Sequence, residues 1–252
     1  MAWQTPKTNW SAADGVRDID MNRIEGNILH LYTTDAVRSA LVVYVSTTGN
    51  DATGAGTPAA PYKTITKALS VIPKNLNGMS VSINIAAGTY EESVDISHFY
   101  GGTISLTGTS NAAVTILNLT VLNCVCTVSN IALTISSTGA TGIIIGNGAS
   151  VIFEVSVTVH AVLNGILCHS GGVLVAQQSV IANSSGIAVR AETQGRVHIG
   201  TLAGTGSKQL FAADSGGHIS YGAYTHTGHS ATFSTFNGGR IYTGAQTSPA
   251  IY

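Results

Sequence analysis

Glycine-rich turns that each lead into a β-branched residue recur along this chain at a nearly fixed interval. Gly148-Ala-Ser-Val151, Gly171-Gly-Val173, Gly195-Arg-Val197, Gly217-His-Ile219 and Gly239-Arg-Ile241 place their Val or Ile marks 22, 24, 22 and 22 residues apart. Val128, Ile104 and Val81 extend the series backwards at 23, 24 and 23, and a second register, Gly142-Ile143, Gly165-Ile166 and Gly186-Ile187, steps by 23 and 21. Between turns the sequence alternates apolar and polar, as in Val81-Ser-Ile83-Asn-Ile85 and Val151-Ile-Phe153-Glu-Val155. Period two means strand, with every second side chain on one face. A unit of this length cannot bury that face alone, whereas stacked units share a continuous core. The spacing therefore predicts an all-β coil, a parallel β-helix of about eight coils of 21–24 residues. At ~4.8 Å per rung it makes a column roughly 35–40 Å long. Val189, Phe211 and Phe233 each precede a mark by eight residues and should stack as an inward ladder. A helical solenoid needs a 3.6 period, and a β-propeller repeats at about 40–45 residues.

Charge divides the chain. Only 9% of the 252 residues are Asp, Glu, Lys or Arg, and the net charge is −1. Nine charged groups fall within residues 1–40: Lys7, Asp14, Arg17, Asp18, Asp20, Arg23, Glu25, Asp35 and Arg38. Glu154 alone is charged between Ile96 and Val189. The sequence thus predicts an attachment segment over 1–40 and a β-helix over 41–252. A basic stripe for nucleic acid is lacking, and no apolar run reaches the ~18 residues that span a bilayer, so neither nucleic-acid binding nor membrane insertion is expected. The start, Met1-Ala-Trp-Gln-Thr-Pro-Lys7, lacks signal-peptide character. Synthesis in the cytoplasm of the producing cell without a signal peptide is expected. Cys124, Cys126 and Cys168 are too few and too irregular for a disulfide framework and read as buried free thiols.

Within the first segment, Met21, Ile24, Ile28 and Leu31 have helical spacing, with Asp18 or Asp20 available as N-cap. One apolar stripe on a short helix needs a partner: its own body, sister copies or another protein. Trp3 and Trp10, the chain's two tryptophans, suit docking anchors. Near 61–73, Ile65, Leu69 and Ile72 fall on one helical face and predict a helix capping the first coil, since an open coil end is a pairing hazard. Only eleven residues follow Ile241, too few for a cap domain, so covering of the far end by other chains is expected.

The run Tyr44-Val-Ser-Thr-Thr-Gly-Asn-Asp-Ala-Thr-Gly-Ala-Gly-Thr-Pro-Ala-Ala-Pro-Tyr-Lys-Thr-Ile-Thr-Lys-Ala-Leu69, followed by Ile83-Asn-Ile-Ala-Ala-Gly-Thr-Tyr-Glu-Glu92, resembles the entry of right-handed parallel β-helix proteins of the pectin-lyase-like group. Pro6-Lys-Thr-Asn-Trp10 and Asp20-Met-Asn-Arg-Ile-Glu-Gly-Asn-Ile28 resemble the N-terminal segment of tail and baseplate proteins of phages and prophages of Gram-positive bacteria. Together these resemblances imply a right-handed coil and a virion component, a phage tail fibre or tailspike-like viral protein. It would be a homotrimer attached to a tail or baseplate protein by its N-terminus, with the β-helix presented for host attachment.

Chemistry on the column is sparse. Lyases of the resembled fold use calcium-binding acidic clusters with a catalytic base, and the coils have no such cluster. A glycoside-hydrolysing tailspike needs two carboxylates ~5–9.5 Å apart. Glu192 and Asp214 each lie five residues before a mark and should stack on adjacent rungs, where like charge would raise one pKa. The plainer reading is a corner in which Arg196 and His218 neutralise them. Arg196, His218 and Arg240 directly precede their marks, and His198, Ser220 and Tyr242 form the next outward row. Arg196, His198, His218, Arg240 and Tyr242 are therefore candidates for glycan or partner contact. His226-Thr-Gly-His229 lacks a further ligand nearby, and Gly49-Asn-Asp-Ala-Thr-Gly-Ala-Gly-Thr lacks the Gly-Lys-Ser/Thr of a phosphate loop. No cofactor and no metal are expected. The sequence reads as a non-enzymatic tail component that touches host glycan, with a polysaccharide depolymerase and a purely structural connector as alternatives.

Overall fold

The computed structural model describes Thr5, residues 17–34, 37, 39–137, 141–161, 163–229 and 231–243. The chain runs through α1 (Asp18–Thr34), β1 (Leu41–Val45), α2 (Ile65–Val71), β2 (Ser80–Ile85), β3 (Gly88–Ser97) and β4 (Thr103–Leu122). Then come β5 (Val125–Ser136), β6 (Thr141–Gly146), β7 (Ser150–Phe153), β8 (Val157–Ala161), β9 (Asn164–Cys168) and β10 (Val173–Ser184). It ends with β11 (Ile187–Ala191), β12 (Arg196–Thr205), β13 (Gln209–Ala213), β14 (His218–Thr227), β15 (Ala231–Thr235) and β16 (Arg240–Thr243). Among the described residues every strand pairing is parallel, between segments about one coil apart except where β1 pairs β2 across α2, and the result is a right-handed parallel β-helix of about seven turns.

Each turn contributes three short faces. On the first, β2, β4, β5, β7, β10, β12, β14 and β16 stack in order, so that Val81, Ile104, Cys126, Val151, Leu174, Val197, Ile219 and Ile241 form one inward column. The predicted marks Val81, Ile104, Val151, Val197, Ile219 and Ile241 lie on it. Val128 and Val173 do not: Val128 stacks on Leu106 and Phe153, two residues along, and Val173 faces outward one residue early. Turn length varies where a bulge or an extra corner residue is absorbed, so spacing alone misplaces those two marks. In the second register Ile143 and Ile166 continue to Val189, Phe211 and Phe233, whereas Ile187 pairs with Asn164. Long strands such as β4 cross a corner and pair on two faces, with register shifts between Tyr90 and Ser93, Thr107 and Ala112, and Ala176 and Ser179.

The core is the column axis, with Ile83, Leu106, Val128, Phe153, Ala176 and Ile199 all essentially inaccessible. On the outside of the charge-poor coils, hydroxyls bond along the rungs: Thr127 Oγ1 donates to Ser105 Oγ at 3.0 Å, and the Ser105 and Thr107 hydroxyls lie 3.2 Å apart. These short side chains satisfy one another where charges would repel in a ladder.

The two ends differ. At the first, α2 lays Ile65, Ala68 and Leu69 on the core, with Ile72 buried just beyond its end. Its Thr64 N-cap accepts from the Lys67 amide at 3.0 Å. At the other end the interior is aromatic. Phe211 stacks on Tyr221 at 4.6 Å and on Phe233 at 5.6 Å, and Tyr224 meets Phe233 edge-on. Phe233 keeps the inward register but is 43% exposed, because no further described turn covers it.

Candidate functional site

The corner leading into the first face repeats as a turn with two left-handed residues. Asn147-Gly148, Ser170-Gly171, Thr193-Gln194, Ser215-Gly216 and Asn237-Gly238 all have positive φ, and the residue after each pair donates back to the carbonyl before it at 2.8–3.0 Å. These are type I′ turns. The Gly148, Gly171 and Gln194 amides also donate to the carbonyl of the corresponding turn one coil on. The corners therefore stack as tightly as the strands, and they aim the first outward residue of each coil.

That aim sets the outward rows. Through the earlier coils one row reads Ser80, Thr103, Val125, Ser150 and Val173 before reaching Arg196, His218 and Arg240 in direct register. The neighbouring row ends His198, Ser220 and Tyr242. The structure thus brings together all five contact candidates. Arg196, His198 and Arg240 are exposed and His218 and Tyr242 half-buried. His198 Nδ1 lies 2.9 Å from Ser220 Oγ, Arg240 Nη1 donates to the Tyr242 hydroxyl at 3.4 Å, and the His218 and Tyr242 rings are 6.3 Å apart. Partial burial lowers the pKa of His218, and the guanidinium charges of Arg196 and Arg240 lower it further.

Glu192 and Asp214 do fall on adjacent rungs, since Ala191 pairs with Ala213 immediately before them. Their partners differ from the expected Arg196 and His218, and only Glu192 is met by a charge. Glu192 Oε2 sits 2.7 Å from Arg190 Nη2, and Asp214 Oδ1 accepts from Asn237 Nδ2 and Ser215 Oγ at 3.1 Å each. Both carboxylates are tied into the corner. Arg190 lies on β11 two residues before Glu192, which opens the corner, so this pair was visible in the sequence as an i,i+2 spacing.

Other acidic groups near the entry motif are structural. Asp51 accepts from the Lys63 and Thr64 amides at 2.7 and 3.1 Å and from the Thr64 hydroxyl at 2.8 Å. Glu92 accepts from the Ile65 and Thr66 amides at 2.8 and 2.9 Å and from the Thr66 hydroxyl at 2.6 Å. Both serve the exposed amides at the start of α2. Burial would raise the Asp51 carboxyl, but the Thr64 and Lys63 hydrogen bonds and the charge of Lys67 outweigh it and hold the group below its usual range. Cys124, Cys126 and Cys168 are buried free thiols whose pKa burial raises, for Cys124 and Cys168 to about 11. No group of three or more His, Cys, Asp or Glu side chains clusters among the described residues. No helix among them is long and apolar enough to cross a membrane.

At the N-terminal side, α1 exposes Met21, Ile24 and Ile28, at 46%, 43% and 60%, while Asp20 and Asn27 are covered. Neither Asp18 nor Asp20 is its N-cap. Arg17 takes that place, its carbonyl accepting from the Asp20 and Met21 amides, and the Asp20 carboxylate reaches back to the Arg17 amide at 3.3 Å. Trp3 and Trp10 lie outside the described residues, as do the side chains of Leu31 and His226.

A family described as a protein of unknown function (DUF1565) matches residues 47–99, the stretch from the entry loop through α2 to the first coil. No curated protein matches the chain significantly. No solved structure does so either.

Proposed function

We propose that this chain is a non-enzymatic structural and receptor-binding component of a phage or phage-like tail or baseplate. It is a homotrimer held to a tail protein through its N-terminal segment, with the outer face of the β-helix turned to host-surface glycan. The observation that carries this reading is the polarity of the column. Hydroxyl and aliphatic rows cover its middle, and a cluster of Arg, His and Tyr begins only at Arg196. At the opposite end of the chain, α1 carries an exposed apolar stripe, Met21, Ile24 and Ile28, that a partner would cover. Sister copies and a tail protein are the partners that suit it.

Sedimentation of the purified chain tests the oligomer, with a trimer expected and a stable monomer refuting it. Deleting residues 1–40 should abolish incorporation into particles, while co-sedimentation with isolated Gram-positive cell walls should persist in the intact chain.

The stacking of Glu192 over Asp214 favours a second reading, a depolymerase of host polysaccharide. New reducing ends on incubation with that polysaccharide, abolished by Glu192→Gln or Asp214→Asn, would establish it over the first. A connector role is supported by the exposure of Phe233 and Phe236 among the described residues, a surface on which another tail protein could seat. A connector would enter particles without binding cell walls.

A further inference from the structure

We propose that the outer face formed by β12, β14 and β16 is a binding site for an acidic glycan, with Arg196, His218 and Arg240 taking its carboxylate or phosphate groups and Tyr242 backing a sugar ring. This rests on the receptor-binding reading above and narrows it to one class of ligand.

Three cationic or protonatable side chains occupy consecutive rungs of one ladder, ~4.8 Å apart. Like charges directly opposite in a sheet repel, and the five preceding coils carry Ser, Thr or Val at this position. Among the described residues no carboxylate forms an ion pair with Arg196, His218 or Arg240: the ion pairs join Arg17 and Arg23 to Asp20, and Arg190 to Glu192. The two nearby acids are already engaged by Arg190 and by Asn237 with Ser215. The row thus carries positive charge that no ion pair among the described residues meets. His218 registers this, since Arg196 and Arg240 both disfavour its charged form. An oxyanion seated over His218 would take a guanidinium from each side and turn repulsion into charge-assisted hydrogen bonds. The Tyr242 ring, beside Arg240 and tilted toward His218, supplies an aromatic body with a polar tip, suited to a ligand that has both apolar and hydroxylated faces. A polymer laid along the column would meet these groups rung after rung, so weak contacts add up.

The test uses the full chain and measures binding to alginate, which bears a carboxylate on each sugar, to poly(glycerol phosphate), and to neutral dextran. At least one acidic polymer should bind tighter than dextran, weaken with added salt, and lose at least tenfold in affinity in the Arg196→Gln/Arg240→Gln double variant. Its unfolding midpoint should not fall below the wild-type value, since removing the two guanidiniums relieves repulsion along the row, and Arg240→Glu should weaken binding further than Arg240→Gln. Preference for alginate or for poly(glycerol phosphate) identifies the oxyanion. If neither binds better than dextran, or the double variant binds like wild type, the inference is overturned. Wild-type chain that sediments with cell walls yet ignores both polyanions sinks this inference and leaves the receptor-binding reading standing. Chain that binds alginate through the ladder but never cell walls does the opposite.

Discussion

Two adjacent residues in one corner should respond in opposite directions to small substitutions. Gln194 occupies the second left-handed position of its type I′ turn with φ 64, where four other coils place Gly148, Gly171, Gly216 and Gly238. A residue with a Cβ costs about 1–2 kcal/mol there, while glycine costs about 0.5–1 kcal/mol in chain entropy. Gln194→Gly should therefore stabilise by about 0.5–1 kcal/mol. Gly195 follows, and a Cβ on it would sit 2.5 Å from the Cys168 carbonyl carbon of the coil below, with the oxygen nearer still, against 3.4 Å for ordinary contact. That neighbour is backbone, locked by the Glu192 amide bond to the same Cys168 carbonyl at 2.9 Å. Gly195→Ala must push the two coils apart by more than 0.9 Å, because the carbonyl oxygen is nearer than the carbon, an overpacking of about 1–3 kcal/mol or more. Urea unfolding followed by far-ultraviolet circular dichroism reads both. A rise in midpoint for Gln194→Gly with a fall for Gly195→Ala supports the stacked corner. A Gly195→Ala midpoint equal to wild type would refute it, because only a corner whose coils are not in contact could accept the methyl group.

Three other outcomes follow from packing and charge. Phe153→Ala, at a fully buried mid-column position, should cost about 3–5 kcal/mol, and Phe233→Ala, 43% exposed at the open end, clearly less; equal losses in denaturant midpoint would contradict the axial core. The Asp51 carboxyl has a lowered folded pKa, so its contribution is present above the unfolded value of about 3.9 and lost as pH falls through the folded one. Asp51→Asn should lower the urea midpoint near neutrality and shrink the further drop on acidification, and an unchanged acid limb counts against the cap. With pKa values of about 11, Cys124 and Cys168 are only about a thousandth ionised at about pH 8. Mass spectrometry after iodoacetamide treatment should find all three cysteines unmodified in the native chain and all three alkylated in denaturant.

Much of this architecture is legible in the residues because a coil stacks like on like. The spacing of Val197, Ile219 and Ile241 is the register itself, and it carries Arg196, His218 and Arg240 into line without further information. Legibility fails where a turn changes length. Val128 and Val173 look like marks, yet a neighbouring residue fills the column, since period two cannot report a corner that absorbs one or two extra residues. The roles of Asp51 and Glu92 were hidden for another reason. Glu92 caps a helix 26–27 residues upstream, a pairing set by how the first coil closes on α2. The partners of Glu192 and Asp214 lay between these cases: Arg190 is readable from local alternation, whereas Asn237 reaches Asp214 only across a rung. For α1 the apolar stripe was readable, but its N-cap was not, because Asp20 acts backward on Arg17 instead of forward.

The alignment of residues 22 apart is tested most directly at His218, by following its imidazole resonance, assigned by its loss in His218→Gln, through a pH titration by NMR. Partial burial and the flanking guanidiniums of Arg196 and Arg240 place its pKa below the ordinary 6.5, and it should rise when both arginines become glutamine. A His218 that titrates at its ordinary value in the wild-type chain, indifferent to Arg196→Gln/Arg240→Gln, would mean that the three side chains do not share a ladder.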